Sequence, residues 1–459
     1  MICKIDNKLT IFAPTPEFED WCKRALTLPN PDYAKKIQLG KWTGGTKPTI
    51  QLYEKRPDSI ILPFGCVQSV FYRFKGDMEP DNVLRPFKRL DYRSGINLRD
   101  YQGKAVEAAM RFKNGVLVMP CGAGKTQTAL ELIASVGGRA LWLTHTGDLL
   151  KQSLERAKST LGVSAKSYGT ITGGKINIGE TITFATVQTM AKADLSDLKY
   201  TFDMVVVDEC HKAVGSPTKV MQFYKVLSAL SCRYKIGLTA TPKRADGLEK
   251  SMFALLGGII CQIDKSEVAK NTCPVKVQTV YSDYTPDPDN ITMGDGTIDY
   301  ASLINDMVSN EARFEFVKTL IDSLDGSAIV LANRVGFLQE LDKRCQVKSM
   351  CLSGMGNSKA AKRARASAIE DLKEGRLDVL FATYQLAKEG LDVPNLRYVV
   401  FATPEKDPTT VTQSAGRVGR KADGKEYGTV VDIVDDFGMH RGWKKKRDAI
   451  YRKLGFELL

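Results

Sequence analysis

At 459 residues the chain is too long for one compact core, and about 150 residues per domain gives roughly three domains. Its 43% hydrophobic and 26% charged residues are those of an ordinary globular protein, while a formal charge of +13 points to a polyanionic partner, nucleic acid by default, or simply to a basic, soluble surface. Ten cysteines without a C-x-x-C pair and only three histidines exclude a zinc site of standard spacing, and no signal-peptide core or long apolar run occurs; free thiols, a cytoplasmic location and no membrane partner are expected.

Residues 1–95 read as a small α+β accessory domain, with strands at Lys8–Ala13 and Thr49–Tyr53 and a helix at Phe18–Leu26. Lys35, Lys36, Lys41, Lys47, Lys55 and Arg56 interleave with Tyr33, Trp42 and Tyr53. That mixture fits a nucleic-acid surface or a solvated domain with an aromatic core.

From Gly95 strands and helices alternate, which predicts parallel α/β sheets covered on both faces. The first series of apolar strands is Val116–Met119, Ala140–Leu143, Thr181–Phe184, Met204–Val207 and Lys235–Leu238. The second is Ala328–Leu331, Val347–Leu352, Asp378–Phe381, Tyr398–Phe401 and Thr429–Ile433. Two tandem doubly wound domains, 96–283 and 284–459, follow, with the Pro-, Gly- and Asp-bearing Ser282–Thr297 as an acidic loop or hinge.

Chemistry concentrates at strand ends. Val116–Met119 runs into Pro120-Cys121-Gly122-Ala123-Gly124-Lys125-Thr126 and then a helix. Glycines there let backbone amides approach a phosphate at a helix N-terminus, Lys125 reaches the outer phosphates, and Thr126 can ligate magnesium. Met119 stands where the strict pattern has a first glycine. Met204–Val207 ends in Asp208-Glu209-Cys210-His211, delivering a carboxylate for magnesium and one to orient or deprotonate water. Gln413, Arg417 and Arg420 are spaced to share one face of a single helix, from which two arginines can stabilise a γ-phosphate.

These motifs together resemble the DExH class of superfamily 2 helicases, and the remaining signatures follow in that family's order over residues 95–440. The resemblance implies two tandem RecA-like domains, ATP with Mg2+, and a nucleic-acid-stimulated ATPase. It implies nucleotide contacts from Arg99, Gln102, Pro120, Cys121, Gly122, Ala123, Gly124, Lys125, Thr126 and Gln127 and from Gly390 and Asp392, with metal ligation by Thr126 and Asp208. Catalysis falls to Lys125, Asp208, Glu209, Gln413, Arg417 and Arg420. Coupling of nucleotide to strand falls to Thr239, Ala240 and Thr241. Strand contacts fall to Thr144, His145, Thr186, Asn333, Arg334 and Thr383; taken singly, a threonine at such a strand end is more often a helix N-cap.

Thr239–Asp246 and Phe253–Gly257 are similar to the XPB-like group, and the small N-terminal domain is similar to that of phage branch-migrating helicases of the UvsW type. Unwinding or remodelling of duplex, single-stranded or branched DNA in recombination, repair or replication is the implied activity. RNA unwinding, or a nucleic-acid clamp without unwinding, is the alternative. The C-terminal run Arg441–Lys453 reads as a phosphate-binding or a solvated basic helix.

Overall fold

Short runs of Val, Ile and Leu with no exposed face form strands buried on both sides, and helices between them return the chain in parallel. The computed structural model describes the whole chain except Lys88, Cys121, Ala245, Lys270, Asn271, Asn357, Glu389, Gly390 and Asp392, and except the side chains of Ala269, Lys359 and Lys388. Two units result, Met1–Asp264 and Lys265–Leu459.

In the first unit Asn114–Val118, Ala140–Thr144, Ile182–Thr186, Met204–Val207 and Tyr234–Thr239 are wholly buried strands. They belong to an eight-stranded sheet in which Tyr234–Thr239 lies between Asn114–Val118 and Met204–Val207. Thr239 pairs with Val118, Val207 with Leu143, and Thr186 with Thr144, so the carboxyl ends of these strands finish at one level. Tyr168–Thr172 and Ile259–Gln262 extend the sheet beyond the strands expected from sequence.

The N-terminal residues have their own five-stranded sheet but are not a separate body. Phe18, Trp21 and Phe74 form an aromatic cluster with ring centroids 5.1–5.7 Å apart. The same core takes in Val214, Leu248 and Ala254 from the larger sheet's surroundings. Gly65 sits directly on the backbone of Phe253–Gly257, where a Cβ would collide with main chain. The turn after the first strand adds polar contacts: Asp6 accepts from Lys199 Nζ at 2.7 Å and Ser231 Oγ at 2.5 Å, and Asn7 Nδ2 donates to Ser228 O at 2.5 Å.

Lys235 sits beneath this junction, fully buried, donating to Leu227 O at 2.8 Å with its ammonium 4.7 Å from the Phe64 ring centroid. Burial pushes its pKa down to about 8. The unfolded chain therefore binds the proton more tightly, and stability rises as pH climbs from about 8 towards the ordinary lysine value. Lys235→Met is expected to raise stability at pH 7 by about 1–3 kcal/mol and to abolish that alkaline rise. Thermal melts at pH 7 and pH 9 check this; a less stable variant at pH 7 contradicts it.

The second unit holds a seven-stranded sheet built on Ala328–Ala332, Val379–Thr383, Tyr398–Phe401 and Gly428–Asp435. Val275–Ser282 pairs in parallel with Gly428–Asp435 along its whole length. The boundary expected at 283/284 thus falls at 264/265. Ser282–Thr297, expected as an acidic loop or hinge, lies inside this unit: Asp287 caps the short helix Pro288–Ile291, and Ile291 packs in one cluster with Leu303 and Trp443.

The basic C-terminal helix Gly438–Lys453 is divided. Trp443, Arg447 and Tyr451 face the core, with Arg447 Nη2 2.8 Å from Asp432 Oδ1, while Lys445, Lys446, Arg452 and Lys453 are exposed. A second buried pair, Arg313 and Asp435, closes at 2.6 Å.

Candidate nucleotide site and its coupling network

The phosphate loop follows Asn114–Val118 and opens the helix Lys125–Val136. Gly122 and Gly124 have φ of 81° and 79°, a backbone conformation open to glycine, and Gly124 is the helix N-cap. The first amides of the helix and its positive dipole end are therefore left facing the loop. Cys121 lies outside the described residues. Pro120, Ala123, Thr126 and Gln127 occupy the loop and first helical turn as expected, with Ala123 fully buried.

Gln102, 1% exposed, braces the loop from behind. Its Oε1 accepts from Arg99 N at 2.9 Å, and its Nε2 donates to Ala123 O at 2.9 Å. A Cβ on Gly124 would run into this amide. The nucleotide contact expected of Gln102 must use whatever hydrogen-bonding capacity these two bonds leave.

The acidic strand end faces the same loop. Glu209 adopts φ 48°, ψ 50°, a left-handed conformation costly for a non-glycine residue, and its amide donates to Asp208 Oδ1 at 3.0 Å. The turn places Glu209 Oε1 3.3 Å from Lys125 Nζ and Oε2 3.3 Å from His211 Nδ1. Burial alone would raise the Glu209 carboxyl, but the Lys125 ammonium and His211 outweigh it and hold it well below the usual range. Asp208 is pushed up to about 6 by burial and by the charge of Glu209.

From His211 the chain of contacts continues to Thr239, 3.1 Å from Nδ1. The Thr239 hydroxyl donates to Thr241 O at 3.2 Å and accepts from Thr241 N at 3.1 Å. Its proton is thus committed, so His211 Nδ1 is the donor to Thr239 Oγ1, with Glu209 Oε2 3.3 Å away. Arg244 grips Asp246 at 2.6 and 2.8 Å and donates to the carbonyl of His211, fixing the acidic turn from its far side. Ala240 lies between the two bonded threonines.

The neighbouring strand ends depart from the expected strand-contact set. Thr144 is fully buried and donates to Thr146 O at 3.0 Å, so its hydroxyl is unavailable to a phosphate; the adjoining Thr146 caps a helix by accepting from Leu149 N. Thr186 is 6% exposed and donates to Thr189 Oγ1 at 3.0 Å. His145 Nε2 meets Lys212 Nζ, and its carbonyl accepts from Gln188 Nε2 at 2.8 Å. Burial and then Lys212 press His145 down to about 4, leaving it neutral. Lys212 has no sequence signal, and Gln188 and Arg244 stand in the sequence only as members of motif stretches; their meeting in space gives them a role.

In the second unit Asn333 N donates to Thr403 Oγ1 at 2.9 Å, and Arg334 donates to Asn305 Oδ1 at 2.7 Å and Ala301 O at 3.1 Å. Thr383 accepts from Leu386 N at 3.4 Å, the capping role. The expected single helix through Gln413, Arg417 and Arg420 is corrected: Pro408–Ala415 is α-helical, Gly416–Gly419 tightens to 3-10, and Arg420 is extended. Gly416 and Gly419 weaken the helix there. Arg417 donates to the carbonyls of Ala387 and Leu391, tying Gly416–Gly419 to the segment that ends in Gly390 and Asp392, which themselves lie outside the described residues.

Residues 95–244 match the family described as type III restriction enzyme, res subunit, and residues 312–422 the helicase conserved C-terminal domain. The DNA 3'-5' translocase XPB2 of Sulfurisphaera tokodaii is 24% identical over 420 residues, covering 83% of this chain and 91% of that one. The ATP-dependent DNA helicase uvsW of Enterobacteria phage T4 is 24% identical over 440 residues, 88% of this chain and 84% of that one. A protein of Acanthamoeba polyphaga mimivirus, provisionally described as an ATP-dependent RNA helicase, is 27% identical over 405 residues, 84% and 74% respectively. With a phosphate loop, an acidic strand end and two RecA-like parallel sheets already in place, the chain belongs to the superfamily 2 helicases and is an ATP-dependent enzyme.

Proposed function

We propose that this chain is a DNA-stimulated ATPase that moves on duplex or branched DNA and remodels it. The observation that carries the reading is the contact series Lys125–Glu209–His211–Thr239–Thr241, which links the phosphate-loop lysine to a neighbouring strand end. A group that senses the γ-phosphate at one end of this series changes what the other end offers a strand.

Thr126 and Asp208 provide hard oxygen ligands, and the raised carboxyl of Asp208 is what a divalent cation would relieve. A magnesium ion there would neutralise charge on the β- and γ-phosphates. Lys125 leaves Glu209 for the phosphates, and the freed Glu209 carboxylate orients the attacking water. Gln413, Arg417 and Arg420 are the further groups assigned to the γ-phosphate, the arginines meeting its charge in the transition state. His145, Thr186, Asn333, Arg334 and Thr383 mark the strand ends at which backbone phosphates are held, with Thr144 and Thr186 contributing through their backbones alone.

The names of the DNA-acting relatives and the basic balance support DNA; the mimivirus protein's name makes RNA the second reading. ATP hydrolysis measured with duplex DNA, a four-way junction, duplex RNA and no nucleic acid decides between them. Stimulation is expected to be largest with the junction or duplex DNA. Equal rates with and without nucleic acid contradict the motor, and preferential stimulation by RNA transfers it to the other substrate.

A further inference from the structure

The N-terminal domain carries an aromatic side chain for which the fold has no internal use. Trp42 is 89% exposed, whereas Trp142 and Trp443 are buried and Trp21 packs between Phe18 and Phe74. Trp42 sits on the loop joining the helix Pro31–Gln38 to the strand Thr49–Gln51. That loop is built rather than slack: Lys36 Nζ donates to Thr46 Oγ1 at 2.8 Å and Thr43 O at 3.3 Å, and Asn30 Nδ2 donates to Lys47 O at 2.8 Å. The indole lies across Gly44, where a Cβ would meet the ring at 3.1 Å. The rest of the ring is open to solvent.

Charge along this stretch of chain has one sign. Residues 33–53 contain Lys35, Lys36, Lys41 and Lys47 and no Asp or Glu. Asp32, just outside the stretch, is held by Lys219 at 2.5 Å. Lys35, Lys41 and Lys47 are exposed, Lys41 immediately preceding Trp42 in the chain. A preordered ring flanked by cations matches a strand whose bases are free to stack and whose phosphates are spaced along it. Bases inside an intact duplex offer no free face, so the occupant is an unpaired strand.

We propose that the Trp42 loop is a docking site for single-stranded nucleic acid, in which the indole stacks on a base and Lys41 and Lys47 hold flanking phosphates. This rests on the reading of the chain as a nucleic-acid motor and adds where an unpaired strand is captured.

Because Trp42 is the exposed indole, the full-length protein reports on itself. Oligothymidylate is expected to quench part of the tryptophan fluorescence and to shield it from acrylamide. Trp42→Ala should lose that signal and bind oligothymidylate about tenfold or more weakly, with an unchanged melting temperature, and Trp42→Phe should recover most of the affinity. Wild-type affinity in Trp42→Ala, or an indole still open to acrylamide in the saturated complex, overturns the proposal and assigns the patch of Ile37, Leu39 and Trp42 to a protein partner. Shielding of Trp42 without any nucleic-acid stimulation of ATPase would sink the motor reading and leave this one standing; stimulation with no shielding does the reverse.

Discussion

Glu209→Gln is expected to lower the ATPase kcat by about two to four orders of magnitude while leaving nucleotide binding intact or tighter. The substitution keeps the size of the side chain but removes the anion that faces Lys125 at 3.3 Å and His211 at 3.3 Å. Glu209 is held below the usual carboxyl range, so it is charged throughout the working pH range. The attacking water loses that charge, whereas Lys125 loses a competitor for the γ-phosphate. Lys125→Ala should differ by losing nucleotide affinity as well. Single-turnover hydrolysis beside equilibrium binding of a fluorescent ATP analogue separates the two, and a Glu209→Gln enzyme with more than a tenth of wild-type kcat contradicts the assignment.

Arg420→Ala is expected to lower kcat about 10³-fold with little change in nucleotide affinity, the signature of a group that meets charge chiefly in the transition state. Arg417→Ala should behave differently. Its guanidinium holds the carbonyls of Ala387 and Leu391, so removing it should lower the melting temperature as well as the rate. Steady-state kinetics with thermal melts of both variants checks the contrast; equal kinetic and stability losses in the two would contradict it.

The parallel sheets were legible because buried strands such as Met204–Val207 and Tyr398–Phe401 are unbroken apolar runs, and their boundaries follow. Val275–Ser282 was hidden by its polar residues and by the acidic stretch after it, although its apolar residues recur at Val275, Val277 and, after a shift, Val280. The phosphate loop and the acidic strand end were readable as local motifs. The Gly-Arg-Val-Gly turn was misread as helix, because spacing alone carries no penalty for glycine.

Long-range docking left no local trace. Nothing near Gly65 or Asp6 in sequence announces that each is pressed against residues well over a hundred positions away, and Lys235 reads as a strand residue rather than as a fully buried ammonium. The basic C-terminal helix shows the same limit, since Arg447 and Lys446 are adjacent in sequence and opposite in environment.

Small-angle X-ray scattering, with and without DNA and ADP–beryllium fluoride plus magnesium, tests most directly whether a bound triphosphate draws the two lobes together. The radius of gyration is expected to fall in the wild-type protein and to stay unchanged in Arg420→Ala. An identical radius for the wild type in the nucleotide-free and analogue-bound states would contradict the closing motor.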